Sequence, residues 1–295
     1  MDNTKSLEYV AFQIGINSKV LKELAYNIRS HFWRYIRYTN GKRRIFLAPD
    51  KELKKIQRLI NKRILQQIPL PDSVHSARKK RSIRTNAEQH LGKDLVINID
   101  IKDFYPDVHY SLVENIFRKL GYSSEASQIL TKLTTYDYSL PQGFPTSPSI
   151  GNIVLIPMDE RFENLCAQNN LSYSRWVDDI TISGKKYAKN FLGLFYKIIN
   201  QSGFKVNNRK TKSAFNNERQ ETTGVVVNRK PNIAKDKQRK INTLIHLYKT
   251  KGPISIITED ISKSRERLLG HISHFHNINP TLGNKMLEKF KHIYW

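Results

Sequence analysis

Three acidic side chains are the residues best suited to chemistry in this chain. Asp100 closes the mostly apolar run Val96-Ile97-Asn98-Ile99, and Asp178 and Asp179 stand side by side. Carboxylates are hard oxygen ligands, and two or three gathered at one point can hold magnesium, which keeps part of its water shell. Ions held in this way bind nucleotide phosphates, sharpen an attacking hydroxyl and stabilise a leaving oxygen. A strand ending in Asp100 would deliver its carboxylate at the strand end. The β-like arms Tyr173–Val177 and Ile180–Ser183 would put Asp178 and Asp179 at a hairpin tip. Adjacent acids there repel unless a cation or an arginine neutralises them. Taken singly, an Asp-Asp pair fits a solvated turn, and an Asp after a strand fits a helix cap. What raises them above that is the set of motifs in register with them.

The elements that must position these acids can be read from the hydrophobic pattern. Residues 5–30 predict two short helices, the second capped by Asn17 or Ser18. The aromatic and β-branched arms flanking Asn40-Gly41 predict a hairpin. Asp50 then opens a helix with Leu53, Ile56, Ile60 and Ile64 at helical spacing. The basic stretch 76–90 reads as irregular. The strand ending at Asp100 runs into a turn at Pro106, and helices follow at 111–120 and 124–134. A Pro/Gly-rich loop over 141–151 precedes helical residues to about 170 and then the Asp-Asp hairpin. A helix at 186–201, strand-like pieces at 204–207 and 221–228, and three C-terminal helices complete the chain. The boundary is placed near residue 228, giving 1–228 and 229–295.

Composition limits the partner. The 295 residues carry 50 Lys and Arg against 26 Asp and Glu, a net charge of +24. That excess points to a polyanion, most often nucleic acid. No apolar stretch is long enough to span a membrane, and the N-terminus lacks the pattern of a signal peptide. Cys166 is the single cysteine, which excludes an intramolecular disulfide.

The order IDIKDFYPDV (99–108), LPQGFPTSPSIGN (140–152), RWVDD (175–179) and GFKVNNRKTK (203–212) resembles the palm motifs of reverse transcriptases. Three further features resemble the bacterial retron enzymes among them: Asn86-Ala87-x-x-His90, Thr222-Thr223-Gly224, and the string LLGHISHFHNINP at 268–280. The resemblance covers about residue 40 to the C-terminus. It implies an α+β right-hand polymerase with fingers, an antiparallel palm sheet and a helical thumb. It implies Asp100, Asp178 and Asp179 as ligands of two Mg²⁺ ions, and Tyr105 as the aromatic gate that rejects a ribose 2′-hydroxyl. Gln142 and Gly143 would line the nucleotide pocket, and Lys42, Arg43, Arg44 and Lys210 would approach the triphosphate. Asn86, His90, Thr223, Gly224, Lys237, Arg239 and Lys240 are expected to contact RNA or to serve structure beside it. Trp176-Val177 stands where the family usually has Tyr-Ala, and Thr222 where it has Val. His271, His274 and His276 lack nearby acidic or Cys ligands and read as a nucleic-acid-facing or packing cluster rather than a metal site.

The implied activity is RNA-directed DNA synthesis in the bacterial cytoplasm. Deoxynucleoside triphosphates would be the substrates. A structured non-coding RNA would act as primer and template and stay joined to its DNA product, beside a separate effector protein in phage defence. The rivals are an intron-type or stand-alone reverse transcriptase and a non-catalytic RNA-binding scaffold. The intact acid trio argues against the scaffold, and a bulky Tyr105 argues against an RNA-templated RNA polymerase.

Overall fold

A computed structural model describes residues 4–39, 41–252 and 261–295. Helix α1 (Leu7–Ile14) starts at Ser6, whose side chain accepts the Tyr9 N–H, and α2 (Ser18–Tyr26) starts at Asn17, which accepts from Lys19. Strands β1 (Phe32–Thr39) and β2 (Lys42–Pro49) form the expected antiparallel hairpin, with Phe32 opposite Pro49. Asn40 of its turn lies outside the described residues. Asp50 accepts the Leu53 N–H at 2.8 Å and opens α3 (Lys51–Arg63), which buries Leu53, Ile56 and Ile60.

The stretch expected to be irregular contains α4 (Ile83–Glu88). Ser82 and Thr85 form a reciprocal capping box there, with threonine in the place where glutamate or glutamine usually advertises one. Strand β3 (Leu95–Asp100) leads into α5 (Phe104–Asp107), a single helical turn where a plain turn was expected. Helices α6 (Tyr110–Lys119), α7 (Ser124–Thr134), α8 (Ser147–Val154) and α9 (Ile156–Gln168) precede the hairpin of β4 (Ser172–Trp176) and β5 (Asp179–Gly184). Then come α10 (Leu192–Gln201) and β6 (Lys212–Phe215). The strands order as β4-β5-β3-β6, all antiparallel. Strand β6 differs from the sequence expectation, which put a strand at 204–207; there Val206 makes only an isolated bridge to Ile101. A four-residue edge strand, Lys-Ser-Ala-Phe, shows no apolar alternation to announce itself.

The short strands β7 (Glu221–Thr222) and β8 (Val225–Val226) flank Thr223 and Gly224, both at positive φ as a two-residue hairpin turn requires. Helices α11 (Lys235–Lys251), α12 (Ile261–Ile278) and α13 (Pro280–Lys291) complete the chain.

Strand alternation divides the four-stranded sheet. Leu95, Ile97, Ile99, Ile180 and Ile182 point into a large core shared with α1–α3 and α5–α10. Val96, Asn98 and Asp100 lie on the opposite face, cross-strand from Ser183, Thr181 and Asp179. Val96 and Ala87 join Val225, Val227 and the apolar sides of α11–α13 in a second cluster. The chain position 228 lies between Val227 and Ile233, both members of this cluster. Along the outer edge of β4, Val74 forms a parallel bridge with Arg175, and Arg175 donates its N–H to Ser73. Among the described residues no helix is long and apolar enough to cross a membrane.

Where α13 crosses α12, a Cβ on Gly283 would fall 2.3 Å from the His276 Cα and 2.7 Å from its backbone nitrogen. The crossing needs a residue without a side chain. Gly283→Ala should cost about 1–3 kcal/mol as overpacking, seen as a lower Tm in thermal melting. An unchanged Tm would mean that α13 slides freely over α12.

Candidate active site

The antiparallel register of β3 and β5 sets Asp100 opposite Asp179, and the two-residue turn before β5 carries Asp178 next to them. The three acids of the sequence reading thus lie at one end of the sheet. The Asp178 carbonyl accepts the Ile101 N–H at 3.0 Å, which ties the turn to the end of β3. Asp100 is buried, and its carboxylate accepts from the Asn207 amide at 2.8 Å and from the Lys210 ammonium at 2.6 Å. The backbone of Asn207 also donates to the Asp100 carbonyl. Sequence reasoning found Lys210 and missed Asn207, which sits three residues earlier in the same string.

Electrostatics at this end are strained. Burial and then the charge of Asp100 raise the pKa of Asp178. Asp179 reaches solvent, yet the surrounding protein, then Asp178 and Asp100, push it up to about 7. Lys210 and the Arg44 guanidinium pull Asp178 the other way. Among the described residues no three acidic, His or Cys side chains already converge as a metal-binding set. The donors nonetheless fit a divalent cation: all are carboxylate oxygens, and Lys210 and Arg44 offset only part of their mutual repulsion.

Val177, just before the acid pair, has φ +57. For a β-branched residue that region costs on the order of 1–3 kcal/mol and persists only where the surroundings hold it. Its N–H donates to the Ser76 hydroxyl at 3.0 Å and its carbonyl accepts from Arg175 Nη1 at 2.8 Å. Arg175 is wholly buried and bidentate on Asp159, at 2.7 and 2.6 Å, and also donates to the Asn152 side-chain oxygen at 3.0 Å. Tyr173 donates its hydroxyl to the same Asp159 carboxylate. Sequence reasoning missed Ser76, Asn152, Asp159 and Arg175. The only signal was that Asn152 and Arg175 lie within the quoted motif strings.

Other expected residues fall in several places. Tyr105 is half-buried beside Gly151, and burial and then Asp178 raise its pKa to about 12, so the hydroxyl stays protonated close to the acids. The Gln142 carbonyl accepts the Leu47 N–H at 2.8 Å and docks the loop on β2. Gly143 has φ +110, and a Cβ there would lie 2.4 Å from the Leu47 carbonyl oxygen. Arg43 and Arg44 are exposed on β2, while the Lys42 side chain lies outside the described residues. Thr223 and Gly224 are partly exposed, with Lys237 Nζ 3.5 Å from where a Gly224 Cβ would be. Lys237, Arg239 and Lys240 line exposed positions of α11.

Of the two roles expected for Asn86 and His90, RNA contact or structure, burial favours the structural one and corrects the RNA-binding assignment, because both are fully buried. Asn86 donates to Thr223, and His90 bridges Ser183 and Ser174, at 2.7 Å each, across the polar face of the sheet. They hold palm to hairpin from within and offer no surface to a ligand.

The family model for reverse transcriptase (RNA-dependent DNA polymerase) matches residues 36–249, most of the chain. The chain belongs to the reverse transcriptase family. The enzyme is 30% identical over 280 residues to the Retron Ec86 reverse transcriptase of Escherichia coli, covering 88% of this chain and 86% of that one. It is 26% identical to the Retron Mx65 reverse transcriptase of Myxococcus xanthus, over 96% of this chain and 71% of the relative. It is also 30% identical to the Retron Se72 reverse transcriptase of Salmonella heidelberg, over 91% and 74%. This reverse transcriptase is an RNA-directed DNA polymerase of the retron type, a nucleotidyltransferase of a family that generally uses divalent metal ions. A telomerase structure from Candida albicans shares its fold, with TM-score 0.53 at 10% identity over 92% of this chain and 67% of that one.

Two buried histidines give the enzyme a pH signature. Burial lowers His90 to about 3, and burial with Arg81 and Arg78 lowers His75 to about 4. Unfolded histidine titrates near 6.5, so the unfolded chain binds more protons below that pH. The stability these groups contribute is intact above about pH 6.5 and is lost as pH falls toward 4. Denaturant midpoints from pH 8 to 5 should decline below 6.5, and His90→Gln should flatten the decline. An identical pH dependence in the variant would show that His90 does not carry it.

Proposed function

We propose that the enzyme copies part of a dedicated structured non-coding RNA into single-stranded DNA that stays covalently joined to it, with Mg²⁺ held by Asp100, Asp178 and Asp179. The observation that carries the catalytic part is the placement of three mutually repelling carboxylates at one end of the palm sheet. When bound there, the cation would supply charge neutralisation for the triphosphate and the attacking 3′-hydroxyl. The chain's own residues do the positioning. The β3–β5 register and the Ile101–Asp178 bond fix the acids. Lys210 and Asn207 orient Asp100. Arg43, Arg44, Gln142 and Gly143 are assigned to the incoming triphosphate, as is Lys42, by resemblance; the field of Arg44 at Asp178 supports its part in this reading.

Tyr105 is read as the sugar gate, since its ring lies by the acids and a 2′-hydroxyl would collide with it. The segment 229–295 is read as the thumb that selects RNA, with Lys237, Arg239 and Lys240 on phosphates and Thr223-Gly224 beside them. Helices with basic residues near their ends suit a folded RNA, which is recognised largely by shape. The retron relatives support a dedicated RNA and, by the family's habit, a separate effector in phage defence inside the bacterial cytoplasm.

Nucleic acid that copurifies with the enzyme from cells tests this reading. Sequencing should recover DNA joined to RNA from the parent and RNA alone from Asp178→Asn, whose fold should survive because the side chain keeps its shape. In primer extension with magnesium, Asp100→Asn, Asp178→Asn and Asp179→Asn should each lose roughly three or more orders of magnitude in rate. Near-parental extension by any one of them removes it from the ligand set. Tyr105→Val should raise ribonucleotide incorporation over the parent; equal discrimination would leave Tyr105 a packing residue.

A further inference from the structure

The hydrogen bonds around Val177 extend further than the acids require. From Val177 they run through Ser76 and Arg175 to Asn152 and Asp159, which lie on α8 and α9, and to a loop that precedes α4. Ser76 occupies the junction. Its hydroxyl accepts the Val177 N–H at 3.0 Å and donates to the Asn152 oxygen at 3.1 Å, while the Asn152 amide returns a bond to the Ser76 carbonyl at 2.8 Å. Ser76 and Asn152 are each 1% exposed, so water does not substitute for these partners. The segment is itself fixed in register. Val74 bridges Arg175, and the His75 N–H donates to the Arg175 carbonyl at 3.0 Å, so Ser76 prolongs a ladder along β4 up to the turn.

We propose that Ser76 is a positioning residue for catalysis, clamping Val177 in its left-handed conformation so that Asp178 and Asp179 face Asp100. The proposal rests on the reading of those acids as the metal-binding set. A valine amide at φ +57 relaxes toward extended backbone when nothing holds it, and that rotation swings the next residue's carbonyl and carboxylate away. Arg175 grips the carbonyl side of Val177 and is immobilised by Asp159 and Asn152. The amide side is held by the Ser76 hydroxyl. The hydroxyl therefore sets the angle of the turn, and Asn152 sets the angle of the hydroxyl.

The test compares the parent with Ser76→Ala, first without metal or nucleic acid. Backbone hydrogen exchange should accelerate at Val177 by about tenfold or more, while Ile97 and Ile99 in β3 exchange as before. Primer extension should show kcat reduced by about tenfold or more with KM for the nucleotide little changed, because misplaced reacting groups slow chemistry more than binding. Ser76→Thr retains a hydroxyl and should restore exchange protection. In a Val177→Gly background, where positive φ is free, Ser76→Ala should cost less kcat than in the parent. Unchanged exchange at Val177 overturns the proposal, as does accelerated exchange with normal kcat. Uniform acceleration through β3 also overturns it, because Ser76 is then a general packing residue. A full kcat penalty in the glycine background does the same. The exchange result needs no metal, so it can fail while the carboxylate variants still abolish synthesis; an active Asp178→Asn would sink the ligand reading on its own.

Discussion

The repulsion among Asp100, Asp178 and Asp179 is the constraint around which this molecule is arranged. Unlike a single surface acid, a carboxylate crowded by two others in partly desolvated surroundings resists ionisation, and Asp179 is pushed to about 7 as a result. At 4 Å two like charges cost about 1 kcal/mol in water and about 4 kcal/mol at the effective dielectric of a protein surface. Left to itself, a hairpin tip would splay to relieve that cost. The fold prevents it by three independent means: the cross-strand register of β3 and β5, the Ile101–Asp178 bond, and the clamp on both sides of Val177. The net charge of +24 has a local counterpart here, since Lys210 and Arg44 offset part of the anionic field.

The sheet that carries the acids is polarised across its thickness. One face is an aliphatic surface packed on helices, and it includes the buried Arg175–Asp159 pair, whose two charges satisfy each other and bond the Tyr173 hydroxyl, the Val177 carbonyl and both oxygens of Asn152. Such a pair contributes less to net stability than its short distances imply, because both ions lost their water. Its value lies in geometry: a bidentate guanidinium cannot rotate, so the carbonyl it holds cannot either. The other face is a file of serine, threonine and asparagine leading to the acids, and neutral His90 seals its far end by bonding two serines. From there Val96 and Ala87 connect to the apolar sides of the C-terminal helices, which ties the palm to the segment read as the thumb.

The fold was legible where side-chain period and capping chemistry agree. Asn17, Asp50 and the Asn40-Gly41 hairpin each announced an element by a local mechanism. Strand β6 and helix α4 were not legible, one being too short and charged to alternate and the other capped by an unusual Ser/Thr pair. In the site, the acids were legible because a strand end and a hairpin tip are properties of neighbouring residues. The groups that hold Val177 were not, because Ser76 and Asp159 are remote in sequence and look ordinary there. Asn86 and His90 were half legible: a recognisable motif located them with two roles open, and only burial could say that they work inward.

The bridge between Val74 and Arg175 also bears on how this protein behaves in company. Strand β4 is the last strand on its side of the palm, and an open strand edge is a template on which another chain can pair. The 73–76 segment occupies that edge with its own backbone, and the opposite edge ends in a four-residue strand that begins with Lys212. Both margins are thereby made poor partners for a second copy. Protection from edge-to-edge pairing is thus built into the same loop whose Ser76 hydroxyl holds the Val177 N–H.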